Sequence, residues 1–311
     1  TVFRAIIGLS GAIDLVGRYT PKAVIRGVQL STGILLMTQG VKMMVGTSKI
    51  QVLHQAAEPY LGMAVQNLAW VGAGLGVLGS LLTLFLLDSR KIPAAIALVG
   101  GGLAAGLALG GGSGLSGVRP GVFMPDFMPF GFPSGPDFAF ACFALVLPQV
   151  PMTLGNAVIA NKDLANTYFG EKSGKMTYKS LCLSMAAGNL LSFITGGMPM
   201  CHGAGGLGAH YRFGARTAGS NLIIGCVITG LVLFLGKGIL PILSLIPLSV
   251  LGVLLVFSGS QLAMTIQDAD SRKDIFVVVC MLALTLAVNL TAAFAVGLVL
   301  SNLLKSKHFS V

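Results

Sequence analysis

Polar residues in this chain are confined to short interruptions between long apolar runs. A helix needs about 20 apolar residues to cross a bilayer. On that ruler the runs at 1–16, 23–45, 63–87, 92–111, 137–160, 177–195, 203–213, 217–236, 239–264, 274–289 and 291–306 predict eleven segments, with 203–213 too short for a full crossing. The predicted fold class is an all-α polytopic membrane protein. The longest interruption, 112–136, is rich in Gly and Pro and cannot hold a regular helix. It reads as an external linker whose phenylalanines rest on the membrane interface.

The basic residues test this segmentation. If the chain crosses at every segment and ends in the cytoplasm, fifteen of the twenty Lys and Arg fall on the cytoplasmic side, Arg18, Lys22, Arg26, Arg212 and Arg216 among them. Only Arg4, Lys42, Lys49, Arg119 and Lys237 fall on the other. That asymmetry is the one expected of a correct topology. It also explains the net charge of +10 without nucleic acid, which is excluded as a partner.

Two passages match across the linker. Residues 21–37 read PKAVIRGVQLSTGILLM and residues 247–263 read PLSVLGVLLVFSGSQLA, Pro aligning with Pro and Val24 with Val250. Four segments start at 1, 23, 63 and 92 and four at 217, 239, 274 and 291, with three between, so the two sets run in opposite orientation. An inverted repeat of this kind is the pattern of a secondary transporter.

Composition sharpens the class. Hydrophobic residues make up 54% of the 311 and charged residues only 10%, against about 25% charged in soluble domains. The five cysteines form no CxxC pair and read as apolar packers rather than a disulfide frame or zinc site. No signal-peptide pattern is visible, and residues 1–16 are already membrane-like.

Two stretches break the apolar monotony. The first, GGMPMCHGAGGLGAHYRFGAR at 196–216, places Pro199, Cys201 and His202 directly before Gly203, Ala204, Gly205 and Gly206. A helix starting near Gly203 would leave its first N–H groups free, and its dipole would favour an anion there. Irregular backbone inside a membrane survives only where it lines a cavity or is buried in protein. The stretch therefore predicts a half-helix facing a mid-membrane anion site, with tight helix packing as the alternative. His202 at its mouth could donate to an oxyanion, carry a coupled proton, or only shape the turn. Arg212 and Arg216 read as cytoplasmic anchors.

The second stretch, LPQVPMTLGNAVIANKDLA at 147–165, carries Gln149, Thr153 and Asn156 at i, i+4 and i+7, on one helical face. Pro148 and Pro151 should bend this span. The three polar side chains read as ligand lining, or else as interhelical glue. Asp14 reads as a cytoplasmic-end residue near Arg18, and Asn289 as a helix-end cap.

The segments PMCHGAGGLGAHYRFGARTAG, LPQVPMTLGNAVIA and PKAVIRGVQLSTGILL resemble the molybdate-transporter family, which is related to the sulfate permeases but lacks their C-terminal regulatory domain. The resemblance covers most of 1–306. It implies two inverted repeats of seven segments, with residues 1–16 as segment four, 203–213 as the half-helix of segment ten, and the first three segments absent from this chain. It implies a core domain, 1–16 and 137–236, and a gate domain, 17–111 and 237–306.

The expected function is secondary uptake of a tetrahedral oxyanion, molybdate first and sulfate second. A nucleobase or organic-anion carrier would be expected to place a carboxylate in its site, and none is expected within the span 137–160, past its first residue Asp137, or in the motif 199–211. No base-plus-orienter constellation marks an enzyme, and a scaffold would not explain the broken helix. The expected binding set is Gln149, Thr153, Asn156, His202, Gly203, Ala204, Gly205 and Gly206. Recognition is expected to rest on fixed donors rather than on a lysine or arginine. No cofactor or metal is expected. The expected partners are the oxyanion, a coupling proton or cation, the lipid bilayer and a second copy in a homodimer. The expected location is the bacterial inner membrane.

Overall fold

The computed structural model describes residues 2–62, 69–89 and 91–306, and every regular element among them is helical. Among the described residues three helices are long and apolar enough to cross a membrane: Ala69–Leu86, Gly219–Leu243 and Leu248–Asp268. Shorter apolar helices run Ala94–Ala108, Gly135–Val146 and Leu290–Leu303. Almost no residue of the Gly219–Leu243 span is buried. An apolar helix with so little cover needs lipid around it. The start of the expected 63–87 segment lies outside the described residues.

The chain divides into two compact units. The first comprises 1–34, 125–208 and 261–311. Here the expected single run 1–16 is two short helices, Val2–Ser10 and Ala12–Tyr19, because Gly11 stands between them at φ 73°. Glycine takes that left-handed conformation without steric cost. The expected span 137–160 is longer and less regular than its sequence implies. It runs helically from Gly135 to Phe169 with two wide-turn passages, Ala141–Val146 and Thr153–Ala160. Pro148 and Pro151 have no N–H to donate to the preceding turn, and the helix widens on both sides of them. Such wide turns concentrate at functional sites.

The second wide turn is the buried heart of this unit. Ala157 and Val158 pack with Ile13, Leu181, Cys182 and Met185. Gly155 permits a close approach, since a Cβ there would meet the Phe294 ring at 3.0 Å and Val28 at 3.5 Å.

Arg26, counted in the sequence only as a cytoplasmic-side charge, is buried and paired. It sits on the first turns of Lys22–Met44 and is 4% exposed. Its guanidinium grips Asp268 bidentately, Nε to Oδ1 and Nη2 to Oδ2, each at 2.6 Å. Nη1 donates to Gln29 Oε1 at 2.8 Å and also to Asp163. Gln29 in turn donates to the Ala160 carbonyl and Asp163 Oδ2, both at 3.2 Å. One guanidinium thus ties together three stretches far apart in sequence. Asn289 behaves as its pattern predicts, its Oδ1 accepting from Ala292 N–H at 2.8 Å at the start of Leu290–Leu303.

The second unit comprises 35–124 and 209–260. The expected run 239–264 is interrupted. Ile239–Leu243 continues from Gly219–Leu235 through a tight turn at Gly236–Gly238, and a new helix starts at Leu248 after Pro247. The start of that helix is capped by a buried carboxylate. Glu58 accepts from the N–H of Leu248 at 2.7 Å and of Ser249 at 3.0 Å. Burial pushes its carboxyl above the usual range, against the opposing pull of those N–H groups.

The two matched passages begin alike. Val24 and Ile25 donate to the Pro21 carbonyl at 3.0 and 3.3 Å, and Val250 and Leu251 donate to the Pro247 carbonyl at 3.0 and 3.3 Å.

Packing in this unit depends on missing side chains. Gly40 and Gly252 meet backbone to backbone, and a Cβ on either would stand 2.5 Å from the carbonyl oxygen of the other. A Cβ on Gly106 would overlap the Leu245 carbonyl. Because the obstacle is backbone, Gly106→Ala is expected to destabilise by about 1–3 kcal/mol, the usual cost of overpacking. Thermal unfolding in detergent checks this, with Gly100→Ala as control because a Cβ there meets nothing within 4 Å.

Candidate functional site

The motif at 196–206 is an extended segment leading into a nine-residue helix, Ala204–Arg212. Extended backbone has no ladder of its own, so side chains must hold it. The helix Tyr178–Ile194 supplies them. Ser192 Oγ donates to the Met198 carbonyl at 2.6 Å. Asn189 clamps Met200 from both sides, Nδ2 donating to its carbonyl at 2.7 Å and Oδ1 accepting from its N–H at 3.1 Å. Ser184 Oγ lies 2.7 Å from His202 Nε2. Asn189 is expected to matter most of the three. It is buried, and its Nδ2 also reaches the Met185 carbonyl at 2.8 Å. Asn189→Ala should cost about 1–3 kcal/mol, the price of stranding buried backbone partners. Unfolding of the purified variant measures it.

At the start of the short helix, the Gly206 N–H is taken by the Gly203 carbonyl at 3.0 Å. Among the described residues nothing accepts from the N–H groups of Ala204 and Gly205. A Cβ on Gly203 or on Gly206 would meet no heavy atom within 4 Å. Two free donors, the positive end of a helix and open space in front of it are what an anion requires.

The residues of the 147–165 stretch separate. Thr153 and Asn156 are buried on the wide turn, whereas Gln149, on the regular turn before it, is exposed. The i, i+4, i+7 face assumed 3.6 residues per turn throughout, and the wider turn changes the angle between them. Thr153 Oγ1 accepts from Arg4 Nη2 at 3.4 Å. Neither end of the Asn156 amide is bonded to a described residue, and its Oδ1 is fully enclosed. Amide O and N exchange by a simple flip, so the group can present either a donor or an acceptor.

Sequence reasoning missed Arg4. The segmentation reads it only as an outer-face topology charge, yet its Nη1 donates to the Met200 carbonyl at 3.2 Å and its Nη2 to Thr153. A single guanidinium thus joins the 147–165 stretch to the 196–206 motif. No local pattern could have shown this, since the contacts span 196 and 149 residues. Arg212 and Arg216 have contacts of their own, Arg212 3.8 Å from Asp88 and Arg216 stacked 3.8 Å over the Tyr211 ring. The described residues hold no cluster of His, Cys, Asp and Glu suited to a metal ion.

Comparison with known proteins bears on the whole chain. The family described as "Molybdate transporter of MFS superfamily" matches residues 141–262, which include both stretches. "Molybdate transporter 2" of Arabidopsis thaliana is 30% identical over 323 aligned residues, covering 96% of this chain and 68% of that protein. The chain belongs to the molybdate transporter family. "Molybdate transporter 1" of the same plant is 28% identical, with 94% of this chain and 67% of that protein covered. "Molybdate transporter 1" of Chlamydomonas reinhardtii is 38% identical over 172 residues, 54% of this chain and 33% of that protein. Family membership and the apolar helices make this an integral membrane protein with a transport rather than an enzymatic role. These relatives are from a plant and an alga and give no support to a bacterial inner membrane as its location.

Proposed function

We propose that this protein carries molybdate across a membrane and binds it at the start of the helix Ala204–Arg212. The likeness to plant molybdate transporters along nearly the whole chain carries the substrate. The free N–H groups of Ala204 and Gly205 and the unbonded amide of Asn156 support the place. In this reading Gly203 and Gly206 keep the approach open, Thr153 and Asn156 line it, and His202 donates from its mouth. Gln149 reaches the anion from the exposed side. The remainder of the protein follows the pattern of an inverted-repeat carrier, with core (1–16 and 137–236) and gate (17–111 and 237–306) domains, uptake driven by a proton or cation, and assembly as a homodimer.

Sulfate transport is the second reading, because sulfate shares the tetrahedral shape and double charge. Competition binding separates the candidates. With radiolabelled molybdate on the purified protein at pH 7, unlabelled molybdate and sulfate should compete for one site, and phosphate should compete poorly because it is partly protonated there. Phosphate displacing the label as well as sulfate does would overturn the assignment. Among the lining residues, Asn156→Ala should weaken binding by about 1.5–3 kcal/mol, the range for a hydrogen bond to a charged group. Gln149→Ala should weaken it less, given that side chain's exposure. An Asn156→Ala variant with wild-type affinity would remove Asn156 from the site.

A further inference from the structure

We infer that Arg4 is the specificity-determining cation of the anion site, the residue that makes it choose a doubly charged oxyanion over a singly charged one. The inference rests on the molybdate site proposed above and departs from the expectation that recognition uses no arginine.

Position is the first ground. Arg4 lies on the helix Val2–Ser10, whose partner across the packing is Tyr178–Ile194, the helix that holds the 196–206 segment in place. Its guanidinium touches both halves of the proposed site, the Met200 carbonyl three residues before Gly203 and the Thr153 hydroxyl three residues before Asn156. Charge is the second ground. Among the described residues no carboxylate pairs with Arg4; the ion pairs are those of Lys22, Arg26 and Arg212. An ionisable side chain on a membrane helix normally has a partner or a functional target. Arg26, with its two aspartates, shows the structural alternative in the same unit.

Capacity is the third ground. A guanidinium carries five N–H donors. Two are used by neutral acceptors, which leaves three, and the fork geometry suits two oxygens of one tetrahedral anion. A helix N-terminus contributes a partial charge of about half a unit, too little to balance a dianion. A full positive charge beside it makes the match. Removing that charge should therefore cost a dianion more than a monoanion of the same shape.

The experiment exploits that difference. Molybdate and perrhenate are both tetrahedral, with charges of two and one. Dissociation constants for both would be measured on the purified full-length protein in lipid nanodiscs, for wild type, Arg4→Gln, Arg4→Lys and Gly203→Val. The expected result is that Arg4→Gln loses about 10- to 100-fold in molybdate affinity and much less in perrhenate affinity, so that the molybdate-to-perrhenate preference falls about tenfold or more. Arg4→Lys should keep most of that preference. The ratio does not depend on the folded fraction, so a merely destabilised variant would leave it unchanged. If Arg4→Gln weakens both anions equally, or neither, while wild type binds molybdate and Gly203→Val does not, the role of Arg4 is overturned and the site stands. If wild type binds no molybdate, or Gly203→Val binds it normally, the site itself fails and the inference falls with it.

Discussion

Gly203→Val is expected to abolish molybdate binding while the protein still folds and inserts. The two halves of that statement have separate causes. A Cβ at position 203 meets no heavy atom within 4 Å, so the backbone has room for it. The conformation there is not a left-handed one that would strain a branched residue. The fold therefore loses only the modest difference between glycine and valine at a helix cap, about 1 kcal/mol. The isopropyl group, however, fills the space beside the free N–H groups of Ala204 and Gly205. An oxygen kept from hydrogen-bond distance gains nothing from the helix end, and the loss should be about 100-fold in affinity or more, equivalent to about 2.7 kcal/mol. Equilibrium binding with labelled molybdate, set beside thermal unfolding of the same preparation, reads both halves. Wild-type affinity in a folded Gly203→Val protein would remove the anion from this helix.

Arg26→Met is expected to produce the largest loss of stability. Arg26 is buried and joins Asp268, Asp163 and Gln29. Removing one partner of a buried ion pair typically costs about 3–5 kcal/mol, because the remaining charge is left without compensation. Asp163 is 26% exposed and Asp268 47%, and Asp268 keeps Lys22 at 3.0 Å. Water and Lys22 therefore reduce the cost, and about 3 kcal/mol is the expected value. Arg26→Lys should recover only part of it, because an ammonium cannot reproduce the bidentate grip on Asp268. Combining Arg26→Met with Asp163→Asn should restore stability relative to Arg26→Met alone, since the stranded carboxylate is then neutral. A double-mutant cycle by thermal unfolding tests this. Additive losses would mean that the network is a set of independent surface contacts.

The sequence by itself determined that this is a helical membrane protein, where most of its apolar segments lie, and where the Gly-rich start of the helix Ala204–Arg212 falls. Those features are local. The length of an apolar run, a proline before a helix at Pro21 and Pro247, the asparagine cap at Asn289 and the Gly-rich helix start at Gly203 act within a few residues, so their consequences can be read in order along the chain. Tertiary structure decided which charges are paired with carboxylates and which, among the described residues, are not. Arg4 and Arg26 look alike in sequence, basic residues at either end of the first segments. One is neutralised by aspartates 137 and 242 residues away, and the other reaches Thr153 and Met200 with no carboxylate among the described residues to balance it. It also decided that Thr153 and Asn156 are buried while Gln149 is not, because the helix changes pitch between them. A charge in low dielectric is governed by what packs against it, and packing brings together residues whose separation along the chain carries no signal.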